Sequence, residues 1–261
     1  MRHSVLYTLV FSALLCIVCA VLVSSSAVSL KERQDANKAL DRKLNVLQAA
    51  GLVAAGEKVP AADAERMFAS IETAFVDLVS GEEVAGSDPE HYDQQQAKRD
   101  PELGRDAPSN PSSIKRLPKR ALVYKLIGAD GNLETIVLPI EGYGLWGTLF
   151  GFLALEADAS TVVGLTYYEH KETPGLGGEV DNPRWKKLWP GRKLLADDGE
   201  RDFRVIKGNA GPASADPHRI DGLSGATITS RGVSNMIHFW MGPDGFGPYL
   251  EKLRATTRRA A

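Results

Sequence analysis

Residues 221–230 read Asp221-Gly222-Leu223-Ser224-Gly225-Ala226-Thr227-Ile228-Thr229-Ser230, with two glycines and four hydroxyl residues in ten positions. Val233, Ile237 and Trp240 follow at i, i+4 and i+7, a spacing that predicts a helix starting near Thr229 or Ser230. A glycine-bearing, hydroxyl-lined turn that opens a helix gathers free backbone N–H groups at the positive end of the helix dipole, which suits a phosphate. The same residues also make an ordinary capped turn, with Thr227 or Thr229 as the N-cap. The turn alone leaves both readings open.

Two further stretches carry polar or glycine-rich chemistry. Glu169-His170-Lys171-Glu172-Thr173-Pro174-Gly175-Leu176-Gly177-Gly178 places a charged cluster at a predicted strand end, followed by a Pro-Gly turn. One histidine without carboxylates in register is a poor metal site. Gly142-Tyr143-Gly144-Leu145-Trp146-Gly147 is a literal G-x-G-x-x-G, with Glu169 near the acidic position of a dinucleotide fold. Residues 145–155, however, lack the polar face of the helix that such a fold needs, leaving the glycines to permit close backbone packing. Ser224 lacks the Gly-x-Ser-x-Gly elbow of a hydrolase, and His170, His218 and His238 stand in no catalytic pattern. Gly-Lys-Ser/Thr is absent, so no P-loop is present. No catalytic or metal-ligating residue is assigned.

The elements that must position these stretches follow from periodicity. The chain has 261 residues and a formal net charge of -2, enough for a sizeable core and without the basic footprint of a nucleic-acid binder. Residues 5–23 are apolar and uncharged, spanning about 28 Å as a helix. Arg2 precedes the run, while Lys31 and Arg33 blur the charge rule for orientation. A retained anchor fits its length; a signal peptide cleaved at residues 24–27 is the alternative. Cys16 and Cys19 both lie in this run, so no disulfide framework holds the rest. Leu40, Leu44 and Leu47 predict a helix over 31–50, and Met67, Ile71, Phe75 and Leu78 a second over 60–79. Residues 82–120 are polar and proline-punctuated, which predicts a surface loop or linker. Strands are predicted at 122–127 and 135–140 around Asp130-Gly131, at 162–168 and at 203–206. The fold class is α+β: an N-terminal transmembrane helix, then a mixed α/β domain. The expected divisions are 1–30 (anchor), 31–81 (helical stalk), 82–120 (loop or linker) and 121–261 (the globular domain).

The Asp-Gly-Leu-Ser-Gly-Ala-Thr run resembles the flavinylation motif of the FMN-binding domain family, where a flavin transferase joins FMN by a phosphoester to the last hydroxyl residue, here Thr227. Glu172-Thr173-Pro174-Gly175-Leu176-Gly177 resembles that family's second signature, and its Gly-x-Gly-Leu-Trp run lies beside the flavin. The resemblance implies covalent FMN contacted by Thr227, Ser224, Gly225, Ala226, Asp221, Glu172, Thr173, Gly175, Leu176, Gly144, Leu145 and Trp146, with Thr229 left as the helix cap. The anchor, this domain and Leu44-Asn45-Val46-Leu47-Gln48-Ala49-Ala50-Gly51-Leu52 together are similar to the C-subunit family of Na+-translocating NADH:quinone reductases. The G-subunit family of Rnf-type electron-transport complexes shares the domain but usually lacks so long a stretch before it. The resemblance implies a place in the bacterial inner membrane with the domain on the periplasmic side, and as partners the other subunits of the complex (A, B, D, E and F). It implies that single electrons pass from an iron–sulfur centre to the FMN on the B-type partner. A non-redox, membrane-anchored envelope protein is the alternative from another class.

Overall fold

The computed structural model describes residues 4–86, 88–89, 92–196 and 198–260, with side chains described through residue 256. Arg2 lies outside the described residues. The chain divides into two compact units, Met1–Arg42 and Lys43–Ala261.

Helix α1 (Val5–Ala49) is continuous. Its apolar part is exposed throughout, and it is long and apolar enough to cross a membrane. Gly51 ends it at φ +75, with Gly51 N–H donating to Gln48 O and Leu52 N–H to Leu47 O, the paired bonds of a Schellman cap.

In the second unit, α2 (Ala61–Phe68) leads into β1 (Ile71–Asp77) and β2 (Glu83–Val84). Then come α3 (Gln94–Arg99), the short β3 (Gly104–Asp106) and β4 (Arg116–Pro118), and the long strands β5 (Arg120–Ile127), β6 (Leu133–Tyr143), β7 (Thr148–Glu156) and β8 (Val162–Glu169). A 3-10 turn (Gly177–Asp181), α4 (Pro183–Lys186), β9 (Arg204–Val205), β10 (Arg219–Ile220), α5 (Thr227–Trp240) and α6 (Gly247–Ala260) complete it. Six strands form one antiparallel sheet in the order β2-β1-β5-β6-β7-β8, while β3–β4 and β9–β10 are separate pairs.

The register explains why the long strands are apolar on both faces. Val123, Ile136, Leu138, Ile140, Leu153 and Leu165 join one core with Val233, Met236, Ile237 and Trp240 of α5. The opposite face carries buried Tyr124, Val137, Phe152 and Ala154. There Phe68 of α2 meets the Tyr124 ring edge-on, and a Cβ on Gly164 would stand 2.5 Å from Ala49 O. A sheet covered on both sides loses the apolar/polar alternation of a solvated one. Helix α5 is seated on β6 by two glycines: a Cβ on Gly232 would lie 2.4 Å from Tyr143 O, and one on Gly142 2.7 Å from Met236 Cβ. The Trp240 indole locks the contact, donating to Glu141 O at 2.7 Å.

Two expectations are corrected. The helix expected over 60–79 ends at Phe68, and Ile71–Asp77 is a strand paired with β5. Ile71 and Phe75 are four residues apart, a spacing that fits both a helical repeat and a strand's two-residue alternation. Among its described residues, the stretch 82–120, expected as a loop or linker, carries α3, β3 and β4. Ala97, Ile114 and Leu117 of this stretch are buried, and Lys98 and Gln95 of α3 reach the buried Glu141 carboxylate at 2.6 and 2.8 Å.

Two phenols bond to strands on this side of the sheet, one at β5 and one at β2. Tyr92 donates to Arg120 O at 2.5 Å and Tyr249 to Glu83 Oε1 at 2.8 Å. Burial pushes the Tyr92 phenol up to about 12. Burial, followed by the Glu83 hydrogen bond, raises that of Tyr249 further. Both folded-state values exceed the unfolded value near 10, so the native state binds these protons more tightly. Their contribution is complete below pH 10 and drains away as pH rises through the folded-state values. Urea titrations from pH 9 to 11.5 are expected to show this decline, and Tyr92→Phe to flatten part of it.

Candidate functional site

Helix α5 begins at Thr227, two residues before the predicted start, with Ala226 at the N-cap position and no side chain capping it. The N–H groups of Thr227, Ile228 and Thr229 therefore lack an intrahelical acceptor. Thr229 is not the expected cap. It is fully buried in the first turn, and its hydroxyl donates to Glu172 Oε2 at 2.5 Å. Thr227 is exposed. Ser230, also buried, reaches back so that its Oγ accepts the Leu223 N–H at 3.1 Å and fixes the turn. Gly225 holds φ +70, and a Cβ there would stand 2.8 Å from the Leu176 side chain.

Asp221, Ser224, Gly225 and Thr227 line a cleft of about 870 Å³. Arg204, Lys207 and Arg231 bring three cations to it, and Asp221 is the single acid among its lining residues. None of the three cations makes an ion pair among the described residues. The cleft is thus an electropositive recess in front of an uncapped helix start, two features that favour the same anionic ligand. Asp221 Oδ1 accepts the Ala210 N–H at 2.8 Å, and its carbonyl accepts from Trp185 Nε1 at 2.9 Å, so this residue ties the turn to the loop forming the cleft wall.

Glu172 forms a second centre. Only 5% exposed, it accepts the Leu145 and Trp146 N–H groups at Oε1, both at 2.9 Å, and the Thr229 hydroxyl at Oε2. All three sequence stretches therefore meet at one carboxylate. Tyr143, Leu145, Trp146, Leu176 and Ile228, on these same segments, leave large apolar side chains exposed, with Trp146 at 63%. Exposed apolar side chains gathered on these segments offer surface for an apolar group to cover. Thr173 and Gly175 shape the intervening turn: Thr173 O accepts from the Leu176 and Gly178 N–H groups, and Gly175 sits at φ +76. Gly144 is buried below the loop and Ala226 below the turn, while Ser224 is exposed.

Residues 142–147 join the antiparallel strands β6 and β7, and no helix follows them. That removes the dinucleotide-fold reading. His170, His218 and His238 each make contacts that hold the fold. His170 Nε2 lies 2.7 Å from Asp181 Oδ2, and its Nδ1 accepts the Glu172 N–H at 3.2 Å. His218 and His238 face the carbonyl oxygens of Lys193 and Phe203.

The cleft cations were not among the expected site residues. Arg231 lies one helical turn after Thr227, a signal available once the helix start is fixed. Arg204 and Lys207 arrive through the β9–β10 pairing, parallel and non-local, which leaves no local trace. Arg192 was also missed. It is 1% exposed and spends its whole guanidinium on the carbonyl oxygen of Leu188 and on those of Gly211 and Asp216 in the loop behind the cleft.

The FMN-binding domain family model matches residues 144–242, which hold the Glu172 centre and the Thr227 turn. The C subunit of the Na(+)-translocating NADH-quinone reductase of Pseudomonas aeruginosa is 45% identical over 257 residues, covering 97% of each chain. That of Yersinia pestis is 42% identical, covering 95% of this chain and 92% of the relative. The crystal structure of Shewanella oneidensis NqrC superposes with a TM-score of 0.77 at 33% identity, over 84% of this chain and 99% of that one.

Proposed function

Because this chain belongs to the C-subunit family of the Na(+)-translocating NADH-quinone reductases, an oxidoreductase complex, we propose that it carries FMN on a Thr227 phosphoester and relays electrons within that complex. The observation that carries this reading is the exposed Thr227 hydroxyl at an uncapped helix start, on the rim of a cleft whose three cations make no ion pair among the described residues. Matches spanning nearly the whole of both chains favour this family over the G-subunit family of Rnf-type complexes or a non-redox envelope protein.

The residues fit the group. The N–H groups of Thr227, Ile228 and Thr229, with Arg231 beside them, would hold the phosphate. The exposed Leu145, Trp146 and Leu176 would hold the ring, replacing their contact with water by apolar contact. When bound, FMN supplies a carrier that takes up and gives out electrons singly. This chain's own residues do the rest: they tether, orient and leave the carrier close to the surface. Tethering matters because a cofactor kept open to two partners has little burial to retain it. No general acid–base set is needed for such a relay.

The partners we propose are the other subunits of the complex (A, B, D, E and F), with an iron–sulfur centre as donor and the FMN on the B-type partner as acceptor. A flavin transferase serves during maturation: Thr227 Oγ1 attacks the FMN-side phosphorus of FAD, the pyrophosphate P–O bond breaks, AMP leaves, and the hydroxyl proton is given up. Helix α1 would anchor the chain as a single pass in the bacterial inner membrane, with the second unit on the periplasmic side.

Asp221 is assigned to recognition or activation by the transferase. Asp221→Asn keeps an acceptor for the Ala210 N–H and removes the charge. It is expected to slow labelling by on the order of 100-fold, the usual contribution of a positioned acid–base group. A time course of in-gel flavin fluorescence measures this, and a wild-type rate would leave Asp221 with only its loop contacts.

A further inference from the structure

The geometry points to Glu172 as the positioning residue of the flavin site, acting through Leu145, Trp146 and Thr229 rather than by touching the cofactor. This inference rests on the covalent-flavin reading above. Both carboxylate oxygens are already engaged by protein donors, and the side chain is 5% exposed. Three of its roughly four acceptor directions are taken by the protein, and little of it faces water. Instead it fixes the distance between the exposed loop at Leu145 and Trp146 and the first turn of α5, two residues beyond Thr227.

The surrounding sequence is cut to this carboxylate. A Cβ on Gly144 would lie 2.6 Å from Glu172 Oε1, and one on Gly177 would lie 2.3 Å from Oε2 and 2.6 Å from Thr229 Oγ1. Two glycines, one from each neighbouring stretch, therefore give up their side-chain space to it. The carboxylate is itself held from behind. The Glu172 N–H donates to His170 Nδ1, His170 is bonded to Asp181, and Asp181 pairs with Lys186 at 3.1 Å. A carboxylate accepting three hydrogen bonds in a site nearly closed to water is a rigid strut, since each bond is stronger there than in solution.

Glutamine separates this role from charge. Its amide oxygen accepts the Leu145 and Trp146 N–H groups, and its NH2 donates to Thr229 Oγ1, which then serves as acceptor. Alanine removes all three bonds and leaves two N–H groups stranded.

The test uses the full chain co-expressed with a flavin transferase. Glu172→Ala is expected to keep its covalent label while the ratio of docked to undocked flavin falls roughly tenfold, the effect of losing hydrogen bonds of ordinary net strength. Visible circular dichroism of the flavin and iodide quenching of its fluorescence read that ratio. Glu172→Gln is expected to restore both signals, which a loss of packing alone would not predict. If Glu172→Ala does not fold, Thr229→Val decides. This near-isosteric change removes one bond and is expected to move both signals the same way while the chain remains folded and labelled. Wild-type signals in a labelled Glu172→Ala, no rescue by glutamine, or no movement in Thr229→Val overturn the inference alone. An unlabelled wild-type chain overturns the covalent reading and this inference with it.

Discussion

Thr227→Ala is expected to abolish covalent flavin on this chain. Co-expressed with a flavin transferase and run on a denaturing gel under ultraviolet light, the wild-type chain should give a fluorescent band at its own size, and the variant none. The geometry leaves few substitutes. Thr229 and Ser230 are buried, the first donating to Glu172 and the second accepting from Leu223. Ser224 is the remaining exposed hydroxyl of the turn, three residues away and outside the helix. Ser224→Ala is therefore expected to keep the band, and Thr227→Ser to keep it as well, because the hydroxyl survives. Folding does not confound the comparison. The Thr227 hydroxyl makes no hydrogen bond among the described residues, and alanine is a good helix former, so the melting temperature should move little. A band that persists in Thr227→Ala moves the linkage to another residue; an unlabelled wild type ends the covalent reading.

Legibility of this site in the sequence tracks how local each interaction is. The Asp221–Thr227 turn, the Pro174-Gly175 turn and the Asp130-Gly131 hairpin are set by neighbouring residues, and each could be placed from the sequence. The contacts that join them could not. Nothing near Glu172 announces that its partners are 26, 27 and 57 positions away. Thr229 illustrates the same limit: by local rules a threonine at a helix start is a cap, but a buried acceptor beyond the end of β8 claims its hydroxyl. Strand β1 was hidden for a different reason, because a spacing of four is shared by both periodicities. The elements within residues 82–120 were hidden by composition, since buried Ala97, Ile114 and Leu117 and the Lys98–Glu141 pair secure a stretch that is otherwise mostly polar.

Arg192 is a buried residue whose structural role no motif reports. It lies deep in the second unit, donating from Nε to Leu188 O at 3.0 Å, from one terminal nitrogen to Asp216 O at 2.7 Å and from the other to Gly211 O at 2.6 Å. Its own carbonyl accepts the Val162 N–H at 2.8 Å, so the residue ties β8 to the loop that runs behind the cleft. That loop also supplies the Ala210 N–H to Asp221. Arg192→Leu fills much of the volume but strands three carbonyl oxygens. An acceptor left unpaired costs about 1–3 kcal/mol when fully buried and less here, where Leu188, Gly211 and Asp216 are each half-buried. Removing a buried cation returns part of its desolvation cost, so the net loss of stability is expected to be about 3 kcal/mol. Arg192→Lys should recover only a fraction, because an ammonium lacks the planar fork that reaches three acceptors in different directions. Urea unfolding of the purified chain measures the loss as a fall in midpoint at constant slope. Hydrogen exchange should locate it, with protection lost first over residues 208–217 and only later in the β5–β8 sheet. A leucine variant within about 0.5 kcal/mol of wild type, inside the usual range for surface changes, would show that the carbonyl oxygens find other donors and that Arg192 is not the pin of the cleft wall.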